Sequence, residues 1–201
     1  MGESNILTPN FKGFLYSDDG HHAGFRYNAE DSINDLLLSI SKHLPLDQVY
    51  VVDDGSSDRT SQIACSLGVN LVRHPTNCGK GVALRSGLKS AFEESNVLAC
   101  ITMDADGQHE PVHIPDFLSS FHDQSADLII GARRMGPAVM PIMRVLSNRI
   151  TSLLISAKIG QKILDSQCGY RLINEELVKS LHISCKHSET VHNFKFCVGK
   201  K

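Results

Sequence analysis

Between residues 48 and 131 the chain repeats one pattern: a short apolar run, a turn rich in Asp or Gly, then a stretch with helical spacing. The runs are Gln48–Val52, Val69–Val72, Val97–Ile101 leading into Asp104, and Asp127–Gly131. Helical stretches fall between them, from about Asp58 to Leu67, Gly81 to Glu94 and Pro111 to Phe121. Parallel strands need a crossover connection, and a helix is the usual one. The pattern therefore predicts an α/β domain with a mainly parallel sheet covered by helices on both faces. Ligands of such sheets bind beyond the carboxyl ends of the strands, where the Asp-rich turns 53–58 and 104–110 fall.

The regular pattern begins near Ala29. Ile33, Leu36, Leu37 and Ile40 stand at i, i+3, i+4 and i+7, the core stripe of a helix. Ser57 or Asp58 is a candidate N-cap for the following helix. Pro141 to Ile159 reads as a long helix with Leu146, Ile150, Leu153, Leu154 and Ala157 in an apolar stripe. A core-facing stripe is expected, with a helix lying in a membrane interface as the alternative. We divide the 201 residues into a divergent segment 1–26, one domain 27–185 and a divergent tail 186–201.

The formal charge of −2 and the lack of a basic, aromatic-interleaved stripe give no reason to invoke nucleic acid. Six Cys without a Cys-x-x-Cys pair suit reduced thiols in a cytosolic setting. Cys185, His187, His192 and Cys197 do not have a usual zinc spacing. No secretory pattern is visible, and no apolar run approaches the ~20 residues of a membrane span.

Chemistry concentrates in Thr102-Met103-Asp104-Ala105-Asp106-Gly107-Gln108-His109-Glu110-Pro111. Two carboxylates one residue apart at a strand end are hard oxygen ligands for Mg²⁺ or Mn²⁺, which take substrate phosphates as further ligands. Alone, Asp-x-Asp is equally a solvated turn. His109-Glu110-x-x-His113 copies a zinc-protease motif, but Pro111 interrupts the helix which that motif requires.

Four further segments accompany it in order: Val51-Val52-Asp53-Asp54-Gly55-Ser56-Ser57-Asp58, Asn77-x-Gly79-Lys80-Gly81, Gly131-Ala132-Arg133, and Asp165-Ser166-Gln167-Cys168-Gly169-Tyr170-Arg171. This ordered set resembles the family 2 glycosyltransferases of the GT-A, Rossmann-like fold. Asp-Ala-Asp-Gly-Gln-His and Gln-Cys-Gly-Tyr-Arg look most like the dolichyl-phosphate mannose synthase and polyprenyl-phosphate glycosyltransferase branch. The resemblance implies inverting transfer of a sugar from a GDP- or UDP-sugar to a polyprenyl phosphate, at the cytosolic face of a membrane.

Carried over by position, the resemblance gives Asp54 the base or ribose, with Tyr27, Val52, Asp53, Asp104 and Ala105 completing the donor site. Asp104, Asp106 and Gln108 would hold Mg²⁺ or Mn²⁺, and Arg133 a phosphate, making Asp106 and Arg133 the catalytic pair. Arg133 and Arg149 would receive the acceptor phosphate. Each assignment has a structural alternative: turn capping for Asp53 or Asp54, a solvated charge for Lys80, a surface ion pair for Arg133. Should the acceptor be a hydroxyl, Glu189 is the candidate base.

The chain departs from the family at both ends. Phe25 replaces the usual Pro before Tyr27-Asn28, Ala29 replaces Glu, and the apolar strand expected ahead of them is not recognisable. After Glu189 the pattern gives way to Asn193-Phe194-Lys195-Phe196-Cys197. A fold truncated at both ends is therefore expected, and a non-catalytic nucleotide-sugar-binding protein is the alternative function.

Overall fold

The computed structural model describes residues 11–17, 29–94, 96–105, 109–124, 126–132, 142–184 and 196–199. Its strands are β1 (Phe11–Ser17), β2 (Val49–Asp53), β3 (Asn70–Arg73), β4 (Ala99–Asp104), β5 (Leu128–Gly131), β6 (Arg171–Asn174) and β7 (Phe196–Gly199). Its helices are α1 (Glu30–Ile40), α2 (Thr60–Ser66), α3 (Lys80–Phe92), α4 (Ile114–Gln124), α5 (Ile142–Ile159) and α6 (Glu175–Ser184). The strands form one sheet in the order β3-β2-β1-β4-β6-β5-β7. Pairs β1–β2, β1–β4, β2–β3 and β5–β7 are parallel, and β6 runs antiparallel to both neighbours.

Side chains alternate across the sheet, as strand geometry requires. Val49 and Val51 of β2 join Ile33, Leu37, Ile101, Met103, Ile114, Phe117 and Leu172 on one face. Tyr50 and Val52 join Ala83, Leu88, Cys100, Ile173 and Leu177 on the other. The α1 stripe is buried as its spacing requires, with Ile33 and Leu37 fully enclosed. Fully burying one such side chain contributes about 1.5–3 kcal/mol.

The sequence pattern did not reveal β1, β6 or β7, and the first of these lies inside the sheet, between β2 and β4. Strand β1 falls in the segment read as divergent, and it breaks the apolar run with Lys12 and Gly13. Lys12 is buried yet paired: its ammonium donates to Glu94 Oε2 at 2.7 Å, and the Tyr50 hydroxyl donates to Glu94 Oε1. Gly13 fits under Leu44, whose Cδ1 would stand 3.2 Å from an added Cβ. At the other end, β7 falls within the stretch read as a divergent tail and pairs with β5.

The stripe on α5 faces opposite to the expected core. Leu146, Ile150, Leu153 and Leu154 are 50–70% exposed. The inward face is mixed instead: Asn148 and Ser152 are enclosed, Ser156 is half-buried, and Ile155 and Ile159 pack against the core. Asn148 Nδ2 donates to Asp165 Oδ1 at 2.7 Å, Ser152 Oγ accepts from the Ser166 N–H at 2.9 Å, and Ser156 Oγ accepts from the Ile163 N–H at 2.8 Å. The helix is therefore fastened to the loop before β6 by hydrogen bonds. Among the described residues, no helix is long and apolar enough to cross a membrane.

Candidate active site

Register collects the motifs at one edge. Along β1, Ser17 aligns with Asp53 and Tyr16 with Asp104, so both strands end side by side. Because β6 is antiparallel, its first residue, Arg171, aligns with Thr102 near the same edge. The Gln167–Tyr170 turn is thereby delivered against the end of β4.

Asp104 is the centre of this cluster. Its Oδ1 accepts from Lys80 Nζ at 2.6 Å, and its Oδ2 lies 3.5 Å from His109 Nε2. A Cβ at Gly169 would fall 2.2 Å from Asp104 Oδ2, so only glycine permits this approach. Burial alone would raise the Asp104 carboxyl, but the His109 hydrogen bond and the Lys80 charge overcome it and hold the group at about 2. His109 is buried against Tyr170 at 5.3 Å between ring centroids, and Tyr170 packs on Phe117 at 4.4 Å. An open cleft adjoins the carboxylate, lined by Lys80, Leu84, Thr102, Gln167, Gly169 and Arg171.

Asp53 and Asp54 are both enclosed. Asp53 caps its own turn: Oδ1 accepts from the Ser56 N–H at 2.8 Å and Oδ2 from the Ser61 hydroxyl. Asp54 reaches the start of α3, accepting from the Gly79 N–H at 2.8 Å and the Cys78 N–H at 3.0 Å, with His74 Nδ1 2.5 Å away. Burial opposes this ionised group, yet His74 and the two N–H donors keep its carboxyl below the ordinary range. Gly55 makes the turn possible: its φ is +89°, and an added Cβ would meet Asn77 N at 2.7 Å. Asp58, the expected cap, accepts from the Thr60 N–H at 2.9 Å and from the Glu30 N–H at 3.3 Å, serving two helices.

The structure thus brings Asp104 and the 167–171 turn together, with Asp53 and Asp54 on the same edge. Val52 and Ala105 lie beside them with buried side chains, and Arg149 is exposed on α5. Tyr27, Asp106, Gln108 and Arg133 lie outside the described residues. Lys80, read as a solvated charge, is the ion-pair partner of Asp104. His109, set aside with the zinc motif, supports the same carboxylate. Two signals for these roles were present: Lys80 at the start of a helix after a strand, and His109 just past the Asp-x-Asp turn. Arg171 donates to the Cys168 and Ser166 carbonyls at 2.7 and 3.0 Å, which holds the 166–171 turn in place.

A mostly parallel sheet with this carboxylate beside a strand-edge cleft is the GT-A glycosyltransferase architecture. The chain superposes on the glucosyl-3-phosphoglycerate synthase of Mycobacterium tuberculosis, solved with Mn²⁺ and UDP-glucose, at a TM-score of 0.64. Identity there is 18%, over 95% of this chain and 68% of that one. Residues 26–181 match Glycosyl transferase family 2, and the chain belongs to that family. An uncharacterised protein of Methanocaldococcus jannaschii is 35% identical over 77% of this chain and 71% of its own. The UDP-N-acetylglucosamine–dolichyl-phosphate N-acetylglucosaminyltransferase of Methanococcus voltae is 30% identical, covering 82% and 73% respectively.

Proposed function

We propose that the protein transfers a sugar from a UDP- or GDP-sugar to a polyprenyl phosphate, with inversion at the anomeric carbon. The observation that carries this reading is Asp104: an ionised strand-end carboxylate, flanked by Lys80 and opening on the cleft. Its oxygens are the hard donors that Mg²⁺ or Mn²⁺ prefers, and they fit that ion. Asp104, Asp106 and Gln108 would hold the cation, which when bound neutralises charge on a departing diphosphate. Tyr27, Asp53 and Asp54 would seat the base and ribose, with Val52 and Ala105 presenting backbone beside them. Arg133 offers a planar fork for phosphate oxygens. A phosphate monoester acceptor is already anionic at neutral pH, so positioning and charge stabilisation replace a general base.

Helix α5 supports a lipid acceptor. Met143, Leu146, Ile150, Leu153 and Leu154 are exposed, and Arg149 and Lys158 are exposed on the same helix. That combination suits peripheral attachment to an anionic, cytosolic membrane face, with Arg149 near the acceptor phosphate.

The test is transfer from radiolabelled UDP- and GDP-sugars into polyprenyl phosphate with Mn²⁺. Wild-type turnover and its loss in Asp106→Ala are expected; equal activity in both contradicts the metal role. One observation favours a second reading, binding without turnover: the first motif is altered, with Phe25 where the family has Pro and Ala29 where it has Glu. Tight donor binding with no transfer to any polyprenyl phosphate would select it.

A further inference from the structure

We infer that Asp54, His74 and Cys78 form a second metal site, separate from Asp104-x-Asp106 and selective for a softer cation, Zn²⁺. One carboxylate oxygen, one imidazole nitrogen and one thiol sulfur lie within 4.8 Å of one another. Thiolate and imidazole prefer Zn²⁺, whereas an all-oxygen set prefers Mg²⁺ or Mn²⁺. Ligand softness therefore sorts the two ions between the two sites.

The surroundings already resemble the outer shell of a zinc centre. A ligating His donates its other ring N–H to a fixed partner, and His74 Nε2 lies 3.0 Å from Ser86 Oγ. Asp54 is oriented by the Cys78 and Gly79 N–H groups, and the Asn77 backbone is pinned against Gly55. His74 is mostly enclosed, while Cys78 is exposed and leaves a fourth position open to water.

Little movement is needed. Bonds of roughly 2.0–2.3 Å in a tetrahedron set ligand atoms about 3.3–3.7 Å apart. The His74 Nδ1 to Asp54 Oδ1 separation of 2.5 Å would widen, and Cys78 Sγ, now 3.3 Å from the Thr76 carbonyl, would swing inward. Binding exchanges the proton shared by His74 and Asp54, and the Cys78 thiol proton, for the cation. Zn²⁺ there would take Asp54 away from the donor base, a consequence that rests on the functional reading above.

Cobalt reports the ligands directly. Co²⁺ titrated into the full chain under a non-chelating reductant should give a near-ultraviolet thiolate-to-metal band that saturates at one ion per chain. The band should vanish in Cys78→Ser and persist in Cys65→Ser, the other exposed thiol among the described residues. Zn²⁺ affinity should fall at least about tenfold in Cys78→Ser, since loss of an outer-shell partner alone costs that much. Zn²⁺ should inhibit transfer by wild type but spare Cys78→Ser, whose basal Mn²⁺-supported transfer is unchanged. No band, a band surviving in Cys78→Ser, or equal Zn²⁺ affinity in both chains would overturn the site. These binding readouts stand even where transfer fails.

Discussion

Lys12 illustrates how a buried charge shapes this protein one residue at a time. It is 6% exposed in strand β1, and its partner Glu94 reaches it from the end of α3. Removing Glu94 strands the ammonium, so Glu94→Ala should cost about 1.5–3 kcal/mol, the value of a hydrogen bond to a charged group. Lys12→Met removes the charge itself, leaves Glu94 solvated, and should cost less than about 1 kcal/mol. Chemical denaturation of both variants checks the order; an equal cost contradicts it. The Lys12 hydrogen bond holds the Glu94 carboxyl below its ordinary 4.5, aided by Tyr50. Its contribution is therefore complete above pH 4.5 and lost as pH falls through the lower folded value. The wild type should lose stability in that window while Lys12→Met loses less. Gly169 is the second decisive residue. An alanine there would push Asp104 off the cleft, so Gly169→Ala should lower transfer about 100-fold, the penalty of a 1 Å misplacement. Circular dichroism should still report a folded chain, and unchanged transfer would show that the Asp104 position is not critical.

At the level of elements, α5 is where sequence pattern and structure diverge most. Its spacing identified the helix and the stripe but not which face meets the core. Periodicity ranks faces by polarity, whereas here Asn148, Ser152 and the half-buried Ser156 turn inward because the loop at Ile163–Ser166 supplies their partners. Leu153→Glu and Leu154→Glu should leave stability within about 0.5 kcal/mol, as exposed substitutions do. Both should abolish flotation with anionic vesicles. Wild type that fails to float removes the interfacial reading. By contrast, Asn148→Leu strips a hydrogen bond from the buried Asp165 carboxylate and should cost about 1.5–3 kcal/mol. Strands β2, β4 and β5 were legible because their apolar runs end in Asp or Gly, and β3 because its short apolar run stands between two helical stretches. Strand β1 was not: Lys12 and Gly13 hide it, and only partners distant in sequence, Glu94 and Leu44, make them acceptable there.

Across the whole molecule, topology turns scattered motifs into one site. Strand β1 sets Asp53 and Asp104 side by side, and the reversal at β6 returns Gly169 to the same edge. The order of motifs in the chain was enough to name the family. It did not show that Lys80 and His109 hold Asp104, because those contacts depend on how α3 and His109 pack against the end of β4. It also did not show that His74 and Cys78 gather around Asp54. The central claim is that Asp104 binds a nucleotide sugar through a divalent cation. Thermal denaturation with UDP- and GDP-sugars, with and without Mn²⁺, measures this in wild type and Asp104→Asn. A donor at 100 times its dissociation constant stabilises by about 2.7 kcal/mol, several degrees for a domain of this size. The prediction is a shift with one class of donor that requires Mn²⁺ and disappears in Asp104→Asn. No shift with any donor, or an equal shift in the variant, would contradict it.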